Sequence, residues 1–170
     1  MKKSYKKIRK YHTATNTDSV VNELAFGYNV SSPLVHSLQS LLGLNSKPTD
    51  FDLINITRKG ISKSKLLEIS KILGINQEKL CSLLHINPRT LQRIQSNEYL
   101  DVFTSELAIE MAKVVEEGMS FFKNHEDFQE WLNSDLPSLN FQKPIDFLDT
   151  SFGCNLIISS IHNMRQGVYA

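Results

Sequence analysis

The chain has 170 residues, 41% of them hydrophobic and 22% charged, with a formal net charge of +1. That is an ordinary soluble globular composition, long enough for one domain or two small ones, and it excludes a disordered chain. No apolar run approaches the ~20 residues that a membrane-spanning helix needs. The basic opening "MKKSYKKIRKYH" lacks the apolar stretch of a secretory signal after it.

Charge is unevenly placed. Residues 1–99 hold 15 Lys+Arg against 7 Asp+Glu, a net of +8, and residues 100–170 hold 4 against 11, a net of −7. Such a split points to a basic module for nucleic acid joined to an acidic module with a different task. The two cysteines, Cys81 and Cys154, lie far apart with no Cys/His ligand spacing near either. That argues against zinc and against a disulfide framework, and it fits a reducing cytoplasm. No metal or cofactor is expected.

Residues 1–50 read as a basic N-terminal arm and a short helix. The arm, residues 1–19, is either a solvated tail or a strand of phosphate contacts. From Ser32 to Leu44 a Ser-Pro start, Leu34, Leu38, Leu41 and Leu42 on one face, and a stop at Gly43 predict the helix. It either packs on the core or pairs two copies of the chain. "FDLINIT" alternates apolar and polar residues and reads as a short extended segment.

Helices follow in close order. Ser62–Leu73 carries Leu66, Leu67, Ile69 and Leu73 and ends at Gly74. Gln77–Leu84 is capped by Asn76, and Pro88–Gln95 by Asn87. A longer helix over Ser105–Phe122 has the stripe Leu107, Met111, Val114, Val115, Met119 and Phe122, with Gly118 open to a close neighbour. Then come His125–Leu132, a helical turn at Pro144–Leu148, and a last helix capped by Thr150, with Ile157, Ile158, Ile161 and Met164 inward and Gly167 as its stop.

Within this series, "INQEKLCSLLHINPRTLQRIQSN" has the spacing of a helix-turn-helix. Leu80, Leu84, Ile86, Leu91 and Ile94 supply the shared core, and His85 occupies the turn. The second helix of such a unit enters the DNA major groove. Its exposed side chains are Arg89, Thr90, Gln92 and Arg93. Arginine pairs bidentately with guanine, glutamine with adenine, and threonine meets a phosphate or a thymine methyl. Two arginines near a helix start oppose the macrodipole, which a polyanion lying against that end explains. Gln77, opening the first helix, is a phosphate contact of the kind that fixes register. Lys63, Lys65 and Lys79 are either further backbone contacts or ordinary solubilising charges.

The stretch "GISKSKLLEISKILGINQEKLCSLLHINPRTLQR", followed by "DFQEWLNSDLPSLNFQKPIDFLDTSFG" and the ending "GVYA", resembles the Xre/MbcA/ParS-like antitoxins of bacterial RES–Xre toxin–antitoxin pairs. The resemblance covers roughly residues 51–170. Its landmarks are "RTLQR", Trp131-Leu132, Pro144 with "DFL" after it, Thr150 with Gly153, and Gly167-Val168-Tyr169. One position departs from the family pattern: before the final glycine the charge is displaced to Arg165, in Asn163-Met164-Arg165.

The resemblance implies an all-α fold, with an Xre-like helix-turn-helix DNA-binding domain over residues 51–103 and a small toxin-binding domain over 104–170. It implies a non-enzymatic antitoxin that binds operator double-stranded DNA, represses its own operon and inhibits a RES-domain toxin acting on NAD. Arg165, Gln166, Val168, Tyr169 and Ala170 would then lie at or near the toxin. Trp131 and Leu132 read as core anchors, given the apolar area a tryptophan buries. A homodimer within a larger toxin–antitoxin complex is expected, because helix-turn-helix proteins read paired half-sites. The alternative is a stand-alone helix-turn-helix regulator whose C-terminal half dimerises or senses a ligand. A small enzyme is a third reading, but the sequence offers no convergent catalytic group for it.

Overall fold

The computed structural model describes residues 37–167. The basic arm, the first residues of the Ser32–Leu44 helix, and Val168, Tyr169 and Ala170 lie outside that range. The described residues form eight α-helices: α1 (Leu38–Leu42), α2 (Asp50–Lys59), α3 (Lys63–Leu73), α4 (Gln77–Leu83), α5 (Pro88–Arg93), α6 (Val102–Phe121), α7 (His125–Leu132) and α8 (Ser151–Arg165). Short 3-10 helices occupy Pro137–Leu139 and Pro144–Asp149. Extended pairing among these residues is limited to two isolated bridges, Ser62 with Tyr99 and Leu136 with Gln142. The fold is all-α, as expected.

Outside the α4–α5 pair, two elements differ from their sequence readings: α6 starts at Val102 and not at Ser105, because Asp101 caps it, and a segment read as extended is helical. "FDLINIT" is helical, as part of α2. A reciprocal cap decides it: Thr49 Oγ1 accepts from the Asp52 backbone N–H, and the Asp52 carboxylate accepts from the Thr49 N–H. Asp50 and Asp52 in the first turn and Arg58 and Lys59 in the last both suit the macrodipole. Leu53 and Ile56, three apart, pack on the core, while Phe51 and Ile54 stay exposed.

The centre of the molecule is α6. Asp101 caps it, its carboxylate accepting from the Phe103 and Thr104 N–H groups at 3.0 Å each. Ala108, Met111, Ala112, Val114 and Val115 are fully buried, more than one stripe's worth. The reason is that α6 is packed from several sides, most extensively by α8 and also by α1, α2, α3 and α7. Two polar residues are buried at its start without being left unsatisfied. Ser105 Oγ accepts from the Ile61 N–H at 3.0 Å, and the Thr104 hydroxyl donates to Asp101. At the other end, a Cβ on Gly118 would collide with the ring of Phe128, so the glycine is what lets α7 approach.

Leu38 and Leu41 of α1 are buried in this core. The described part of the leucine-rich helix therefore packs on its own chain, the first of its two readings. Leu132 is fully buried, and the half-buried Trp131 lies 5.4 Å from the Phe122 ring and 6.5 Å from that of Phe128, as core anchors should. Thr150 caps α8 through a 3.1 Å bond from the Gly153 N–H, and a Cβ at Gly153 would strike the Phe147 carbonyl. That contact explains the Thr150/Gly153 spacing. Cys81 and Cys154 are both free and buried. Burial, followed by the charges of Glu110 and Asp149, pushes the Cys154 thiol up to about 12, so it stays a neutral core residue.

Candidate functional site

The α4–turn–α5 unit forms as its sequence requires. The Asn76 side chain accepts from the Lys79 N–H at 2.8 Å, that of Asn87 accepts from the Arg89 N–H at 2.9 Å, and Pro88 sits in the first turn of α5. Between the helices the chain reverses at His85, whose φ is 55°. Left-handed backbone of this kind is uncommon outside glycine, and histidine is among the residues that tolerate it. The Ile86 N–H closes the turn onto the Cys81 carbonyl at 3.0 Å. His85 is thus a turn residue. Its Nε2 also lies 2.9 Å from the Asp149 carbonyl, tying the turn to the 3-10 helix Pro144–Asp149.

Leu91 of α5 is buried, and Arg89, Thr90, Gln92 and Arg93 are all exposed. Arg89, Gln92 and Arg93 stand at i, i+3 and i+4, on one side of the helix. Neither arginine makes an ion pair among the described residues. Gln77 is exposed at the start of α4, beside its cap. The structure thus brings Arg89, Gln92 and Arg93 together on one open face.

The helix is shorter than its sequence reading. It ends at Arg93 because Ile94 turns extended, and the chain then runs back along the start of α3. The Lys63 and Ser64 N–H groups bond to the Glu98 and Ser96 carbonyls, and the Leu100 N–H to the Ile61 carbonyl. Arg93 therefore sits in the last turn, which the macrodipole favours for a cation. Only Arg89 remains at the disfavoured end.

The three lysines are committed within the chain. Lys63 Nζ donates to the Ile94 carbonyl at 2.7 Å, closing the end of α5. Lys65 donates to the Ser40 carbonyl and pairs with Glu68, and Lys79 pairs with Asp146. Spacing along the sequence reveals Glu68, three residues after Lys65, but not the other partners, which come from distant segments.

At the opposite end of the chain, Arg165 and Gln166 are exposed on the last turn of α8. An Arg165 Nη2 donates to Ser120 Oγ and to Glu117 Oε2, and His162 Nε2 lies 3.0 Å from the same Glu117 oxygen. Sequence reasoning singled out Arg165 but not Glu117, Ser120 or His162. The usable signal was His162 and Arg165 at i, i+3; their partners on α6 depend on how α6 and α8 dock. Among the described residues no group of three or more His, Cys, Asp or Glu could hold a metal ion. No helix among them is long and apolar enough to cross a membrane.

Comparison with known proteins places a family on the first of these regions. Residues 52–113 match the model of the antitoxin Xre-like helix-turn-helix domain. No curated protein matches the chain. Among solved structures, the chain is similar to a chain in the crystal structure of the M. tuberculosis MbcT–MbcA toxin–antitoxin complex. That alignment has a TM-score of 0.49 and 18% identity, and it covers 64% of this chain and 96% of that one. From α2 to the middle of α6, the chain carries an Xre-like helix-turn-helix domain.

Proposed function

We propose that the protein is a DNA-binding antitoxin, with its helix-turn-helix on operator DNA and its C-terminal residues on a toxin. One observation carries the DNA half: the second helix of an antitoxin-type helix-turn-helix presents Arg89, Gln92 and Arg93 on one open face, the arginines without ion-pair partners. These residue types read guanine and adenine edges in the major groove. Gln77 and Thr90 would hold phosphates beside them, and a dimer would read two half-sites. Bound at its own promoter, such a dimer represses its operon.

The toxin half rests on the C-terminal landmarks from Trp131 to Tyr169, which resemble those of antitoxins paired with RES-domain toxins. On this reading the partner is an NAD-consuming enzyme in the same cytoplasm. Arg165, Gln166, Val168, Tyr169 and Ala170 inhibit it, and the enzyme chemistry belongs to the partner alone. A short apolar-aromatic tail supplies the compact anchor that dominates interface energies. Gel shifts at fixed salt and partner-inhibition assays test the two halves separately. Loss of operator binding in Arg89→Ala/Arg93→Ala, with inhibition retained, is the expected result. Unchanged operator affinity in that variant would sink the groove assignment.

A second reading has its own observation. Phe103 and Phe152, 83% and 88% exposed, line an open groove beside His85 and Leu107. In a stand-alone regulator that groove would be a dimerisation or sensing surface. A stable complex with the product of the adjacent reading frame separates the two readings.

A further inference from the structure

Three phenylalanine rings stand out from the surface on neighbouring helices. Phe51 of α2 is 79% exposed, and Phe103 and Phe152, which begin α6 and α8, are bare as described above. Helical spacing groups each with a neighbour: Phe51 with Ile54 and Arg58, Phe103 with Glu106, and Phe152 with Leu156. Two open grooves join the three helices into one face. The first lies between α2 and α6, over Leu53, Ile54 and Val102, and the second is the Phe103–Phe152 groove beside His85. Glu106 lines both. The core closes without these rings, since Ile109 on the wall of the first groove is already buried.

We infer that this α2–α6–α8 face joins two copies of the chain, and that the joint, with the His85 turn at its edge, fixes the distance between two α5 helices. This rests on the DNA-binding half of the reading above, since paired half-sites need paired helices. The area suits a second copy. Three aromatic side chains of ~150–250 Å² each, with the exposed Ile54, Val102 and Leu156, offer roughly 600–700 Å² per chain, close to the ~800 Å² that each partner gives a stable interface. The charges suit it as well. Arg58 lines the first groove and Asp149 the second, and neither makes an ion pair among the described residues. A two-fold pairing sets the same patch against itself, so a face carrying both signs can match its own copy. DNA does not suit it, because the carboxylates of Asp50, Glu106, Glu110 and Asp149 rim the grooves and repel phosphate. Nor do the C-terminal residues assigned to the toxin lie here: from Phe152 to Arg165 α8 runs about 20 Å, at ~1.5 Å per residue.

Sedimentation of the full-length chain, with and without operator DNA, tests the pairing. Wild type should be a dimer at micromolar concentration. Phe103→Lys and Phe152→Lys should each weaken self-association about 30-fold, the loss expected of a central aromatic anchor. The double variant should sediment as a monomer with wild-type helical circular dichroism, and should bind the full operator more weakly than wild type. A double variant that stays dimeric overturns the proposal, as does a wild-type chain that is monomeric both free and on operator. Gel shifts keep the two readings apart. A monomeric wild type that still binds operator refutes the pairing alone, and a dimer through this face that binds no operator refutes the DNA reading alone.

Should the lysine variants misfold, Phe152→benzoylphenylalanine keeps an aromatic ring and crosslinks its neighbour under light. The product should join two copies, with the crosslink on α2 or α6 of the second. Crosslinks to the protein encoded by the adjacent reading frame, or to residues 1–36 of the same chain, give the face to those occupants and overturn the proposal.

Discussion

Arg89 and Arg93 lie on the same short helix but stand in different fields. Arg93 is in the last turn of α5, where the backbone dipole welcomes a cation, and Arg89 is at the start, where it does not. If both read guanine edges, Arg89→Ala and Arg93→Ala should each cost about 1–3 kcal/mol of operator affinity and relax specificity at one base position. A competition gel shift against single-base operator variants measures both effects. His85 makes a different prediction. At φ 55°, a β-branched side chain is strained, so His85→Val should lose about 1–3 kcal/mol of stability. His85→Gly relieves the strain while losing the bond to the Asp149 carbonyl, and should melt near wild type. Denaturant melts of the two variants side by side check this. The residue types exposed on α5 and the turn role of His85 were both legible in the sequence. The commitments of Lys63 and Lys79 were not, since Ile94 and Asp146 reach them only through the tertiary fold.

Element boundaries follow the caps. Asn76, Asn87 and Thr150 start their helices where their sequence positions indicate, and Asn124 caps α7. Two elements depart from this: α6, which Asp101 starts three residues before its expected position, and α2, whose apolar alternation imitated a strand while the Thr49/Asp52 box and its end charges set a helix. The box uses Asp in place of the usual Glu or Gln, so the apolar alternation is the more visible pattern in the sequence. The cap of α6 also gives a pH prediction. Burial raises the Asp101 carboxyl, but the hydrogen bonds from Thr104 and Phe103 outweigh it and hold the group below its ordinary range. A depressed folded-state pKa adds stability that is present above the unfolded value, near 3.8, and lost as pH falls through the folded one. Wild type should therefore lose this contribution in the acid range below about pH 4, and Asp101→Ala should lack it throughout, at a cost of about 0.5–2 kcal/mol at neutral pH. Equal acid-melting profiles for the two would contradict the cap's role. Later in the same helix, Gly118→Ala drives a methyl into the Phe128 ring and should destabilise by about 1–3 kcal/mol.

Across the whole molecule, two charge regimes share one core. The chain divides into basic and acidic halves by composition, yet a single hydrophobic cluster runs from Leu38 to Ile161, with α6 packed by helices from both. The charge split and the exposed side chains of α5 lie in residue types, which a sequence displays. The shared core depends on which faces of α6 meet which helices, and periodicity alone does not tell that. Surface changes at Arg89 or beyond Gly167 should separate DNA binding from partner inhibition. Met111→Ala, within the shared core, should instead weaken both by lowering stability about 2–5 kcal/mol. The most direct test of the antitoxin reading is cellular NAD after induction of the adjacent reading frame, alone, with the full chain, and with the chain truncated after Gly167. NAD should fall when the neighbour acts alone, recover with the full chain, and stay low with the truncated one. NAD that never falls, or that recovers equally with the truncated chain, would contradict it.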